Sequence, residues 1–140
     1  MLRNAATDES FDGVIWRDCR FDRAALVRLN AMMRDTHTDT VTDCDVRLFE
    51  LLACVQAHVG APLIVLSGFR TPETNAALAL SDPHVAPNSF HMRGMAADIC
   101  AAGVDARELA QKAREVGAGG VGVGATFIHL DTGPVRSWVY

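Results

Sequence analysis

The sequence predicts an α+β fold, with helices in the first half of the chain and most strands in the second half. In the first half, apolar residues recur at intervals of three and four, which is the spacing of an amphipathic helix. In the second half, short apolar runs lie between glycines and polar residues, as is typical of buried strands. The length of 140 residues fits one domain over residues 1–140, and we expect residues 1–10 to form a flexible N-terminal tail.

Four helices are predicted, each beginning at a polar residue of a type that caps helices. Pro72 follows the capping residue Thr71 and takes the first helical position, where its missing N–H is not needed. Asp105 with Glu108, three residues later, makes a helix start similar to a capping box. The predicted helices run from about Asp22 to Asp35, from about Asp45 to Gly60, from Thr71 up to a loop at Ser81–Ser89, and from Asp105 to near Gly117.

Short strands are predicted both before and after the helices. Because side chains alternate along a strand, Asp98 shares a face with Ala96 and Cys100 in one of them. In the last predicted strand, His129 and Asp131 share the face opposite the apolar neighbours. The predicted strands lie within Phe11–Cys19, Pro62–Leu66, Met95–Cys100, Gly120–Val123 and Phe127–Asp131.

The composition excludes several classes of protein. Apolar residues make up 49% of the chain and charged residues 21%, which excludes an intrinsically disordered protein. The formal net charge is -4 and there is no basic stripe, so nucleic acid is not an expected partner. No apolar run reaches the roughly 20 residues of a membrane helix. We therefore expect a compact soluble domain without a membrane span.

The glycine-rich segment Gly117–Gly122 matches the G-x-G-x-x-G spacing of dinucleotide-binding sites. That motif binds phosphate only where it follows a strand and begins a helix. Here a predicted helix precedes the glycines and a strand follows them, so we interpret the segment as a helix end with close backbone packing.

Four cysteines occur without a C-x-x-C pair, and this spacing does not predict a zinc knuckle. The cysteines are Cys19, Cys44, Cys54 and Cys100. Cys54 and Cys100 lie in apolar patterns and are expected to be buried free thiols. Two disulfides remain an alternative if the protein is exported.

Three polar residues in the second half are candidate metal ligands. Asp98 lies in an apolar strand, where a carboxylate is costly to bury unless a cation or several donors meet it. With His91 and His129 it would make two imidazoles and one carboxylate, the ligand set of an open catalytic zinc site. From the residues alone, hydrogen-bonded structural histidines and an ion-paired aspartate remain an equal alternative.

Three segments carry motifs in a characteristic order. They are Ser67-Gly68-Phe69-Arg70-Thr71-Pro72 with Asn75, Ser89-x-His91-x-x-Gly94-x-Ala96-x-Asp98, and the closing stretch from Gly119 to Trp138. These motifs resemble those of the D-alanyl-D-alanine peptidase/hedgehog-type zinc peptidases. The closing stretch resembles the murein endopeptidase K-like branch of that family, and the resemblance extends from about Phe11 to Trp138.

This resemblance implies Zn2+ on His91, Asp98 and His129 in a hedgehog/DD-peptidase-like fold, with a small, mainly antiparallel sheet packed with helices. It implies that Arg70 pairs with substrate and polarises the region of the scissile carbonyl, and that Ser89 contacts substrate. It also implies peptidoglycan peptides as partners and the periplasm or cell envelope as location, although no signal peptide is visible. We expect a monomer.

One position departs from several relatives, which carry a catalytic glutamate three residues before the last ligand. Thr126 stands there in this chain. The nearest candidate base is Asp131, in an H-x-D arrangement that murein endopeptidase K-like sequences share. Asp131 could equally orient a ligand or Arg136, and both roles stay open.

The function implied by the resemblance is a zinc-dependent metallopeptidase that hydrolyses amide bonds in peptidoglycan stem or cross-link peptides. An endopeptidase is preferred to a carboxypeptidase because of the closing stretch. The alternative is a zinc-bearing domain that binds cell-wall peptides without cleaving them, which the missing glutamate favours.

Overall fold

A computed structural model describes residues 1–140, and it contains four helices and nine strands. The helices are α1 (Arg23–Met32), α2 (Val46–Val59), α3 (Pro72–Ala79) and α4 (Ala106–Glu115). The strands are β1 (Leu2–Asn4), β2 (Ser10–Phe11), β3 (Trp16–Arg17), β4 (Arg20–Phe21), β5 (Leu63–Ser67), β6 (Ala96–Ala101), β7 (Gly120–Val123), β8 (Ile128–Asp131) and β9 (Arg136–Val139).

Seven strands form one mixed sheet in the order β2-β1-β5-β6-β8-β7-β9. The β1–β5 and β7–β9 pairs are parallel, and the other four neighbouring pairs are antiparallel. The predicted α+β class is confirmed. The sheet, which was expected to be small and mainly antiparallel, is a mixed sheet of seven strands.

The helices begin where their capping residues predict. The carboxylate of Asp22 accepts hydrogen bonds from the N–H groups of Ala24 and Ala25, and Thr71 caps α3 in the same manner. The first helix ends at Met32, three residues before the expected end at Asp35. The Asp35 carboxylate accepts the N–H of His37, a local turn that competes with helix continuation.

The N-terminal residues differ from the expected tail. Leu2 is buried, and β1 pairs with β5 on one side and with β2 on the other. The expected strand at Phe11–Cys19 is replaced by the end of β2 and a separate β3–β4 hairpin. Its two turn residues, Asp18 and Cys19, have φ of 52° and 59°, as a two-residue type I′ turn requires.

One face of the sheet forms the hydrophobic core. Ile99, Val121, Ile128 and Leu130 are completely buried there, in the same cluster as residues from α1, α2 and α4. Helix α4 packs against β7 and β8, and α2 packs against α4. None of the helices combines the length and the apolar character that crossing a bilayer demands.

The opposite face carries a row of residues paired across five strands. Ser67 of β5 is opposite Asp98 of β6, which is opposite His129 of β8, and this row continues to Gly122 of β7 and Trp138 of β9. A Cβ atom on Gly122 would collide with the indole ring of Trp138, so glycine at this position lets the ring pack directly against β7. The close packing expected for this glycine segment is confirmed.

The four cysteines are free. Cys44 is buried and Cys100 is partly buried. Cys54 is exposed on α2, so the prediction that it is buried was wrong. The apolar pattern of α2 is wider than the stripe that actually faces the core.

Candidate metal centre

The three predicted ligands come together on the polar face of the sheet. Asp98 and His129 are direct register partners of β6 and β8, so the sheet itself brings their side chains side by side. His91 comes from a short 3-10 helix at Phe90–Arg93, which Ser89 caps by accepting the N–H of His91 at 3.3 Å. All three side chains are buried.

The atoms that face one another form a nearly equilateral triangle. Nε2 of His91 lies 3.1 Å from Nδ1 of His129 and 3.2 Å from Oδ1 of Asp98, and the remaining edge measures 3.0 Å. Ligands of a tetrahedral zinc ion, bound at about 2.0–2.1 Å, are separated by roughly 3.3 Å. The triangle therefore has the dimensions of three ligands around one small cation.

The opposite ring nitrogens determine which atoms carry hydrogen. Nδ1 of His91 lies 2.6 Å from the carbonyl oxygen of Gly68, and a carbonyl can only accept. Nε2 of His129 lies 2.9 Å from Oδ2 of Asp131, which is an acceptor as well. In the neutral imidazoles, the two ring nitrogens of the triangle therefore carry lone pairs and no hydrogen. These lone pairs point at each other and at a carboxylate oxygen. Such a donor set calls for a cation at its centre.

Asp98 is present as a carboxylate. Burial raises its pKa, but the neighbouring His91 and His129 lower it by more, and the net pKa lies well below the usual value of an aspartate. Its second oxygen, Oδ2, accepts a hydrogen bond of 2.5 Å from Nη2 of Arg70. Asp98 can therefore offer one oxygen to a cation and one to arginine at the same time.

Asp131 lies behind His129 and is completely buried. Its Oδ1 accepts N–H groups of Gly120, Gly133 and Arg136, and its Oδ2 accepts from His129 and again from Arg136. Burial raises the pKa of Asp131, but the hydrogen bonds from His129 and Arg136 lower it far below the usual value. All the acceptor positions of this carboxylate are engaged.

Arg70 is held at the edge of the site by its own segment. Its Nε donates to the hydroxyl of Ser67 at 2.9 Å, and its Nη2 donates to Asp98. Its Nη1 makes no hydrogen bond within the chain, and the side chain lines the cavity in front of the triangle. Two N–H donors of Arg70 are thus available to a bound molecule.

The cavity in front of the triangle has a volume of about 650 Å³ and is lined by Arg70 and Ser89 together with all three ligands. One wall is aromatic: the rings of His84, Phe127 and Trp138 each lie 5.6–6.0 Å from the ring of Tyr140. Sequence analysis did not select Phe127 and Tyr140 as site residues, because aromatic residues near strand ends also occur in ordinary cores.

Comparison with known proteins agrees with the geometry. The family described as "Peptidoglycan L,D-endopeptidase MepK" matches residues 1–138. The "Probable peptidoglycan L,D-endopeptidase MepK" of Haemophilus influenzae is 38% identical over 142 residues, covering 98% of this chain and 76% of the relative. The "Peptidoglycan L,D-endopeptidase MepK" of Escherichia coli K12 is 32% identical over 141 residues, covering 98% of this chain and 78% of the relative.

Proposed function

The chain belongs to the family described as peptidoglycan L,D-endopeptidase MepK, and we propose that it is a metallopeptidase that hydrolyses amide bonds in peptidoglycan peptides. The observation that carries this proposal is the triangle of His91, Asp98 and His129. Its three electron-pair donors face a common point with no hydrogen between them in the neutral imidazoles. A cavity large enough for a peptide segment opens beside them.

We propose zinc as the metal. Two imidazole nitrogens and one carboxylate oxygen are ligands that zinc accepts, and three protein ligands leave a fourth position open, as catalytic sites require. Zinc in such a site supplies a Lewis acid that activates water at neutral pH. Asp98 is the only anionic ligand of the set, so the cation keeps much of its charge.

Asp131 is proposed to orient His129 rather than to act as the base. Its Oδ2 contacts Nε2 of His129, on the side of the ring turned away from the triangle, and thereby holds Nδ1 towards the other ligands. The guanidinium of Arg136 clamps both carboxylate oxygens and is itself packed against the rings of Phe90 and Trp138. A carboxylate with five donors and a strongly lowered pKa is a poor proton acceptor.

Arg70 and Ser89 are proposed to bind substrate. The free Nη1 of Arg70 offers two charge-assisted donors to a carbonyl or carboxylate oxygen in the cavity. The hydroxyl of Ser89 accepts the N–H of His91, which leaves its own hydrogen for a peptide carbonyl. Together they would hold a peptide across the mouth of the triangle and polarise the carbonyl to be attacked.

A non-catalytic, zinc-bearing binding domain is the second candidate, and one observation favours it. Thr126 stands where the resemblance to the wider zinc peptidase family implies a catalytic glutamate in several members, and the nearby carboxylate of Asp131 has no free acceptor position. The proton of the attacking water would then need an acceptor outside the residues assigned above.

The experiment that decides between them is incubation of the zinc-loaded protein with defined, cross-linked and linear muropeptides, followed by mass spectrometry of the products. Cleavage that is lost with a chelator and in His129→Ala supports the peptidase. Binding of muropeptides without any mass change, in protein with bound zinc, supports the binding domain. The masses also identify the bond, and so separate an endopeptidase from a carboxypeptidase.

The remaining assignments rest on family membership. We propose a single domain of the hedgehog/DD-peptidase type that acts as a monomer in the periplasm or cell envelope, where peptidoglycan is accessible. Sedimentation of the zinc-loaded protein and fractionation of cells that produce it would test these two points.

A further inference from the structure

The segment from Ser67 to Thr71 supplies groups to both sides of the metal centre. The carbonyl of Gly68 accepts Nδ1–H of His91 and so sets the ring of that ligand. Two residues later, Arg70 donates to Asp98 and faces the cavity. The backbone N–H of Arg70 also donates to the carbonyl of His91 at 3.3 Å. This segment follows β5, and we call it the arginine loop.

The arginine loop is attached to the residues that follow helix α1. The N–H of Phe69 donates to the carbonyl of Met33 at 2.7 Å, and the N–H of Thr71 donates to Oδ2 of Asp35 at 2.8 Å. Gly68 packs so closely on the backbone of Met33 that a Cβ atom would collide with the Met33 carbonyl. One contact lies on each side of Arg70 along the chain.

Asp35 is an unusual residue for a purely structural contact. It is 1% exposed, and its carboxylate has no cationic partner. Its oxygens accept only N–H and O–H groups, including the N–H of His37 at 2.9 Å and that of Thr71. Burial alone raises the pKa of Asp35, but hydrogen bonds from Thr74, Thr71 and His37 lower it to about 2. A buried charge without an ion-pair partner is costly. Here the surrounding N–H and O–H groups all donate, and a carboxylate can accept from all of them.

We propose that Asp35 is a positioning residue for the peptidase reaction, which fixes the guanidinium of Arg70 by holding the N–H of Thr71. The proposal rests on the proposed function, because Arg70 acts on substrate there. Asp35 itself does not line the cavity in front of the triangle and touches none of the three ligands.

The two attachments of the arginine loop have different consequences. The Met33 carbonyl holds the end that carries Gly68, and therefore the ring of His91. The Asp35 carboxylate holds the end that carries Arg70. Removing the Asp35 contact should consequently misplace the guanidinium while leaving the three ligands in position.

The variant that tests this is Asp35→Asn, which keeps the size of the side chain but turns an NH2 group towards one of the two N–H donors. We expect kcat to fall roughly 10–100-fold at saturating zinc, which is the scale of a displacement of about 1 Å. The zinc bound per chain should stay that of the parent. The matched control is Asp22→Asn, which removes the charge of a carboxylate whose Oδ1 also accepts two backbone N–H groups, at the start of α1 and outside the cavity.

A double-mutant cycle with Arg70→Lys separates positioning from general destabilisation. If Asp35 acts through Arg70, Asp35→Asn should lower activity less than about threefold once Arg70 is already lysine, because the two effects are not additive. Losses that multiply in the double variant, or an Asp35→Asn protein with parent activity, would overturn the proposal. If Asp35→Asn does not fold, Asp35→Glu enters the same cycle, since it keeps the charge and displaces the carboxylate by one methylene group.

A second measurement does not depend on activity. In the metal-free full chain, Nε–H of Arg70 is hydrogen-bonded to Ser67, and its exchange with solvent can be followed by NMR. We expect exchange to become faster in Asp35→Asn and to be unchanged in Asp22→Asn. If the parent cleaves no muropeptide, the proposed function fails while this readout still decides the role of Asp35. Unchanged exchange together with unchanged activity would reject that role.

Discussion

Asp98 and His129 lie opposite each other because all four residues of β8 pair with β6, whereas His91 and Arg70 come from a 3-10 turn and a loop that no strand pairing aligns. We call the first pair the sheet half of the candidate metal centre and the second pair its loop half. The loop half depends on separate contacts: Gly68 with His91, and Ser67 and Asp35 around Arg70.

The two halves differ in the number of contacts that hold each functional group in place. A strand register is held by several backbone hydrogen bonds together with burial of the core face, so losing one side-chain contact does not shift it. Each group of the loop half depends on one or two hydrogen bonds. The sheet half has one such dependence as well: strand register places the backbone of His129, and the hydrogen bond to Asp131 orients its ring.

The largest expected effect is the same in both halves. His91→Ala and His129→Ala should each lower the zinc content from about one ion per chain to a small fraction, because a catalytic zinc site has only three protein ligands. Elemental analysis after gel filtration measures this, with His58→Ala on the exposed side of α2 as control. Chelation should also lower the Tm of the parent, since a bound metal stabilises only the folded state. A parent without stoichiometric zinc after supplementation would contradict the site.

The second prediction concerns the hydrogen bond between Asp131 and His129 in the sheet half. If Asp131 orients His129, Asp131→Asn should weaken zinc affinity by about 10–100-fold and leave zinc-saturated kcat largely unchanged. If Asp131 were the base, the same variant should keep its zinc and lose roughly 10²–10⁴-fold in kcat. Zinc titration and zinc-saturated kcat of this single variant distinguish the two outcomes.

The third prediction concerns the loop half. Arg70→Lys keeps the positive charge but loses the planar fork that reaches Ser67, Asp98 and the cavity together, so kcat/KM should fall more than about tenfold. Zinc content should be unchanged, because Arg70 contacts Asp98 through the oxygen that faces away from the triangle. Parent activity in Arg70→Lys would make Arg70 only an ion-pair partner of Asp98.

The smallest expected effect is a pH dependence of the free energy of unfolding. It comes from Asp35, which holds the loop half through the N–H of Thr71. The pKa of Asp35 is lowered in the folded chain from 3.8 to about 2, so its charged form stabilises the protein above about pH 4, and this stabilisation is lost as pH falls towards 2. Asp35→Asn should be less stable than the parent by about 1–3 kcal/mol at pH 6. Urea unfolding at pH 6 and pH 2.5 should show this difference shrinking at the lower pH. A difference that stays constant would mean that the charge of Asp35 does not contribute.

Local signals in the sequence predicted most of the secondary structure. Helix starts at Asp22 and Thr71 were correct because a cap depends on residues within one turn, and the αL end of α2 at Gly60 is equally local. The strand β1 was missed because three residues are too few to show alternation, and it is held by pairing with β2 and with the distant β5. The strand β9 was missed because it is largely exposed and has no apolar run.

The sequence by itself named His91, Asp98 and His129 as candidate ligands, because two imidazoles and one carboxylate are the ligand set of a catalytic zinc site, and the resemblance of the motifs favoured ligands over structural residues. Only the tertiary structure decided how they are used. The hydrogen bonds to Gly68 and Asp131 assign the lone pairs of His91 and His129, and these partners are 23 and 2 residues away along the chain. The link between Asp35 and the site is seen only in the fold, through its hydrogen bond with Thr71, 36 residues away along the chain. Capping and alternation are encoded within a few residues, whereas the orientation of the His91 ring depends on a distant backbone carbonyl that the fold brings to its far side.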